Sequence, residues 1–92
     1  MANIKDKKRE TALNKILAYK HLRGAWKECI DEAMKQYEGT DKFKLFEMLT
    51  NGRPMVPICM ELYISQRNFY RWRDELINAV LLQAAYNKLI KP

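Results

Sequence analysis

The chain has 92 residues, 48% of them hydrophobic and 30% charged, with a formal net charge of +6. It is long enough for one domain with a single modest core, and too apolar to be intrinsically disordered. No apolar run reaches the roughly 18 residues of a membrane-spanning helix, and residues 1–10 have no apolar stretch behind their charges, which argues against a secretory signal.

The cytoplasm is therefore the expected location. Cys29 and Cys59, with His21 as the single histidine, cannot supply the four ligands of a zinc site, and in a reducing compartment both stay thiols. No metal, cofactor or catalytic grouping is expected. Three glycines and three prolines favour helices over a turn-rich β fold. The charge is uneven: residues 1–27 hold eight Lys and Arg against two Asp and Glu, residues 28–50 three against six, and residues 51–92 six against three. A basic excess at both ends favours a polyanionic partner.

Residues 1–9 read as a flexible basic arm, with Lys5, Lys7, Lys8 and Arg9 serving either nucleic acid or solubility. From Glu10 to Tyr37 there is no proline and apolar residues recur at helical spacing. Leu13, Ile16 and Leu17 form one set; Leu22, Trp26, Cys29, Ile30, Ala33 and Tyr37 form another, pointing elsewhere around the axis. Either one long helix wraps a partner or the helix breaks near Gly24. The expectation is one long bracing helix over residues 10–38, with a bend at most, its Trp26, Ile30, Ala33 and Tyr37 packed on the last helix.

Gly39 suits a left-handed helix end, and Thr40 or Asp41 a new N-cap. A short helix over about residues 42–50, closed by Asn51-Gly52, comes next. Pro54 and Pro57 then bracket a connector, and Pro57 fits the first turn of a helix ending near Tyr63. Ser65 is a natural N-cap for a last helix running to about Leu89. Leu76, Ile77, Val80, Leu81, Ala84 and Leu89 give that helix a broad apolar band. Residues 79–82 are apolar on every side, which predicts burial on more than one face, one of them against a second copy of the chain.

Ile58 to Arg73 satisfies the burial demands of a helix-turn-helix. Ile58 and Leu62 face inward on the first helix, small Cys59 allows close approach, Tyr63 stands at the turn and Ile64 plugs the corner. Phe69 and Trp72, three apart, supply the inner face of the second helix. Those two rings could instead stack on bases, but their spacing fits core packing better. Gln66, Arg67, Tyr70 and Arg71 are then left on the face that would enter a major groove. Ser65, Asn68 and Arg73 lie nearer the rim, where phosphates would be met.

Residues 63–75, Tyr-Ile-Ser-Gln-Arg-Asn-Phe-Tyr-Arg-Trp-Arg-Asp-Glu, resemble the helix-turn-helix of phage transcriptional regulators of the ArpU and RinA kind, and more distantly sigma-factor region-four domains. Tyr63 departs from the glycine common at this turn. The resemblance implies a phage or prophage regulator acting on a promoter, with duplex DNA and the host transcription machinery as partners.

The expectation is thus a small all-α domain in which residues 41–92 form the helix-turn-helix unit and the N-terminal helix braces it. Two other functions fit the same pattern: a DNA-packaging or recombination accessory protein, and a helical module that binds protein alone.

Overall fold

A computed structural model describes residues 4–90, with side chains from residue 7 onward. The described residues form five α-helices and no strand: α1 (Ile4–Leu17), α2 (Ala25–Met34), α3 (Asp41–Thr50), α4 (Met55–Leu62) and α5 (Gln66–Tyr86). Short 3₁₀ turns, Tyr19–His21 and Lys35–Tyr37, follow α1 and α2. The all-α class is as expected. Each helix sends at least one fully buried side chain to a common core: Ile16, Ile30, Leu45, Ile58, and from α5 both Leu76 and Val80. The first four helices all pack on α5. Among the described residues no polar or charged residue is buried in this core.

The long N-terminal helix is corrected to two helices. α1 stops at Leu17, Leu22 is extended, and Gly24 caps α2 with φ 74° and ψ −145°. That backbone region is essentially closed to residues with a Cβ, so glycine is what permits the break. The reason for it is packing. Ala12 and Ile16 of α1 and Cys29, Ile30, Ala33 and Met34 of α2 are all buried in one cluster. A straight helix would aim these two sets in different directions. The chain breaks so that α1 and α2 can each lie on α5. Along α2, Ile30 and Ala33 are buried as expected, and the Cys29 thiol points at the Val80 carbonyl, 3.8 Å away. Trp26 is half-buried, with Lys15 Nζ 5.5 Å from its ring centre.

The flexible arm is corrected as well. Residues 1–3 lie outside the described residues, but residues 4–9 form the first turns of α1. Arg9 reaches α5, with Nη2 3.0 Å from Asp74 Oδ1 and Nη1 donating to Asn78 Oδ1 at 2.6 Å. A side chain held by two partners on another helix does not belong to a free arm.

The expected punctuation holds. Thr40 is the N-cap of α3: its Oγ1 accepts the Phe43 N–H at 3.3 Å and donates to the Tyr37 carbonyl at 2.6 Å. After α3, the Gly52 N–H reaches the Leu49 carbonyl (3.0 Å) and the Arg53 N–H the Met48 carbonyl (3.1 Å). These paired bonds are a Schellman closure, so Asn51-Gly52 ends a helix. α4 begins at Met55, which puts Pro57 in its first turn, where a missing N–H costs nothing. α5 ends at Tyr86, earlier than expected, with Lys88 left-handed (φ 62°) and the Leu89 N–H bonded to the Ala84 carbonyl at 2.8 Å. Ala79 and Val80 are buried and Leu81 half-buried, but Leu82 is 75% exposed. In the single chain, then, the face of residues 79–82 that stays in solvent is the one at Leu82.

Tyr19 joins α1, α2 and α3. Its hydroxyl donates to the Asp31 carboxylate, and its ring meets Phe46 edge-on at 5.1 Å. The bond to Asp31, then burial, then the Asp31 charge raise the phenol pKa above its ordinary value, with Lys27 opposing. A raised folded-state pKa means the folded chain keeps the proton longer. The stability this contributes is complete below the ordinary tyrosine value of about 10 and is lost as pH rises through the folded value.

Both the core and the tyrosine bond can be tested by unfolding. Leu76→Ala, which empties a fully buried site on the shared helix, lowers unfolding free energy by about 2–5 kcal/mol in urea denaturation. Wild-type stability falls as pH rises above about 10, and Tyr19→Phe makes that fall shallower; parallel alkaline profiles would refute the assignment.

Candidate nucleic-acid interface

α4 and α5 are joined by Tyr63, Ile64 and Ser65. Three features hold this junction. Ile58 and Leu62 of α4 and Phe69 of α5 are buried, fixing the inner faces. Half-buried Ile64 packs against the core and donates its N–H to the Cys59 carbonyl at 3.1 Å, while the Cys59 thiol approaches the Ser65 carbonyl at 3.8 Å. Ser65 Oγ accepts the Asn68 N–H at 3.1 Å and so caps α5. Phe69 takes the expected inward position. Trp72 is only half-buried: its ring packs on the core's edge, with Lys42 Nζ 6.0 Å from its centre.

Tyr63 makes the turn. Its backbone is left-handed, φ 56° and ψ 44°, while its side chain is 95% exposed. The conformation that glycine would supply freely is imposed on an aromatic residue whose ring has little to pack on, at a cost of about 1 kcal/mol.

Gln66, Arg67, Tyr70 and Arg71 are all exposed, as expected. They occupy two adjoining stripes. Arg67 and Arg71, four apart, form one; Gln66, Tyr70 and Arg73 form the other by helical spacing. The second stripe is stacked: the Arg73 guanidinium lies 5.1 Å from the Tyr70 ring centre, and Tyr70 meets Phe69 edge-on at 5.3 Å. Arg73 Nε is shielded from solvent and has no acceptor. Asn68, half-buried, lies at the rim of this face, three positions before Arg71. At 100° per residue it lies about 60° from Arg71, on the rim opposite Arg73, and it donates its backbone N–H to Ser65 Oγ at 3.1 Å. Ser65 itself is exposed at the helix start.

The electrostatics separate these arginines from several other cations. Arg9 is paired with Asp74, Lys42 with Glu75 at 2.7 Å, and Arg53 with Glu61 at 2.6 Å. Arg67 and Arg71 have no ion pair among the described residues. No acid lies on α5 before Asp74, so its first two turns add positive side chains to the positive end of the helix dipole. The docking of Arg9 on α5 is the contact that the local pattern conceals, because its partner Asn78 lies 69 positions away.

Among the described residues, no group of three or more His, Cys, Asp or Glu side chains gathers where a metal could bind. Cys29 and Cys59 are free thiols, and burial pushes the Cys29 thiol pKa up. In comparisons with known proteins, no family model, no curated protein and no solved structure matches the chain.

The strain at Tyr63 is measurable. Tyr63→Gly raises stability by about 1 kcal/mol, a gain of roughly 4–8 °C in Tm for a domain of this size. Tyr63→Ala, which trims the ring but keeps the Cβ, leaves most of that strain in place; an equal gain from both variants would place the effect elsewhere.

Proposed function

We propose that the chain binds double-stranded DNA sequence-specifically through the first two turns of α5, acting as a transcriptional regulator of the phage or prophage kind. The observation that carries this reading is the pair Arg67 and Arg71. They are exposed, unpaired and one turn apart on a capped helix whose inner face is anchored by Phe69. An arginine so placed can bridge guanine O6 and N7, and Gln66 can pair with adenine. Ser65 Oγ accepts from Asn68, which leaves its hydroxyl proton for a phosphate beside the helix N-terminus. Stacking on Tyr70 holds the Arg73 guanidinium beside the same face. The regulatory role rests on the resemblance of residues 63–75 to the phage family. A packaging or recombination accessory protein would use the same face, and its bound site would be a terminus or recombination site instead of a promoter.

No helix among the described residues is long and apolar enough to cross a membrane. The other partners proposed are a second copy of the chain, meeting at exposed Leu82 and Tyr86 of α5, and the transcription machinery at a promoter. The alternative of a protein-binding module has its own support: Val56, Met60 and Tyr63 form an exposed apolar stripe along α4 and its turn.

Fluorescence anisotropy with duplex DNA distinguishes the readings. The wild-type chain binds, with affinity falling as salt rises. Arg67→Ala and Arg71→Ala each cost about 1–3 kcal/mol on the preferred sequence if they read bases, or flatten the salt slope by about one unit if they meet phosphate. Lys88→Ala removes an equal charge beyond the far end of α5 and leaves affinity nearly unchanged. If wild type binds no duplex at low salt, the protein-module reading replaces this one; if the double arginine variant keeps its helicity and full affinity, the assigned face is wrong.

A further inference from the structure

A cavity of about 300 Å³ lies between the 3₁₀ turn after α1 and the helix α3. It uses no residue of α4 or α5, so it stands apart from the face proposed for DNA. Tyr19, Phe43 and Phe46 supply its apolar wall. The Tyr19 and Phe46 rings meet edge-on at 5.1 Å, and Phe43 is tilted against Phe46 at 5.8 Å. Tyr19 is held from behind: its hydroxyl is bonded to Asp31, Lys27 Nζ is 3.1 Å from the same carboxylate, and that ammonium lies 5.5 Å from the tyrosine ring centre. The aromatic wall is therefore built before any ligand arrives, which lowers the ordering cost of binding.

Three polar side chains around this wall have no partner among the described residues. Lys20, Glu47 and Asn51 all line the cavity. Neither Lys20 nor Glu47 is in an ion pair, and the Asn51 carboxamide makes no hydrogen bond, although the Asn51 backbone N–H closes α3. A free cation, a free anion and a free amide thus surround a fixed aromatic surface. The size matches the small end of ligand pockets, room for one ring with a short polar tail. The charges select further. A polyphosphate would meet one cation and an opposing carboxylate; a simple amine would meet Lys20; a simple acid would meet Glu47. A ligand carrying both charges satisfies both groups.

We propose that this cavity binds a small zwitterionic aromatic compound of the aromatic α-amino-acid class. Its ring lies on Tyr19, Phe43 and Phe46, its carboxylate is taken by Lys20, and its ammonium by Glu47, with Asn51 able to donate to the one or accept from the other.

The test titrates the full ¹⁵N-labelled chain with three probes: L-phenylalanine, 2-phenylethylamine, which lacks the carboxylate, and 3-phenylpropanoate, which lacks the ammonium. L-Phenylalanine is expected to give saturable shifts in the amides of Lys20 and of residues 43–51, and each truncated probe to bind about tenfold more weakly. Lys20→Ala weakens L-phenylalanine about tenfold and leaves 2-phenylethylamine no weaker; Glu47→Gln does the converse, sparing 3-phenylpropanoate. Both side chains are exposed, so the variants keep the fold. Absence of saturable shifts with L-phenylalanine up to about 20 mM, a limit weaker than any useful small-ligand affinity, overturns the proposal. So does equal binding of all three probes, which would reduce the site to an apolar pit.

Discussion

Leu76 and Val80 expose no surface, and the helix that carries them is the one against which the other four all pack. In a chain of 92 residues this shared burial is the constraint on which the rest of the fold depends. A small domain has no second core to fall back on, so each helix must reach α5 or leave its apolar face in water. The break at Ala18 to Gly24 is one consequence: a straight N-terminal helix could bring only one of its two apolar sets to α5. The placement of cations is another. Where α1 and α3 approach α5, they bring Arg9 to Asp74 and Lys42 to Glu75. Both pairs are partly exposed, so their value is in fixing approach more than in stability.

This arrangement divides α5 along its length. Beyond Asp74 the helix belongs to the core and to its neighbours. Before Asp74 it is anchored on one face by Phe69, while the opposite face carries arginines that no acid claims. The turn preceding it bears the strain. A left-handed tyrosine costs stability, yet the junction keeps it because Ile64 must enter the corner and Ser65 must cap within three residues of Leu62. Strain of this kind persists where surrounding contacts over-determine the backbone, and such places are often functional. The exposed Tyr63 ring is consistent with that pattern, since nothing inside the chain uses it.

Much of the fold is legible in the sequence because it is local. Thr40, Ser65 and Asn51-Gly52 act within a few residues of themselves, so each helix boundary they govern can be read directly. The inward turn of Phe69 and the outward turn of Arg67 and Arg71 follow from a fixed helical period. What escapes is non-local. Periodicity registers that two apolar sets diverge, as those around Ile16 and Ile30 do, but not whether bending or breaking resolves it. The Arg9–Asp74 pair has no local signature, so in sequence Arg9 reads as part of a tail. The wall of Tyr19, Phe43 and Phe46 is invisible for the same reason as the Arg9 pair: it forms only when a break in one helix meets the face of another.

The same sorting applies to charge. Along the chain, the basic excess of residues 1–27 is the stronger electrostatic feature. Folding changes the ranking. Arg9 is paired with Asp74, Lys27 with Asp31, and Lys15 sits over Trp26, so part of that excess is committed internally. The weaker excess after residue 50 contains the two arginines that stay free on an ordered helix. For a polyanion, a pair of cations at fixed spacing on a rigid face offers more than cations already committed to other partners, because the cost of ordering those side chains' helix has been met in folding. What matters for recognition is therefore the charge left unpaired after the helices have docked, and that quantity exists only in the folded chain.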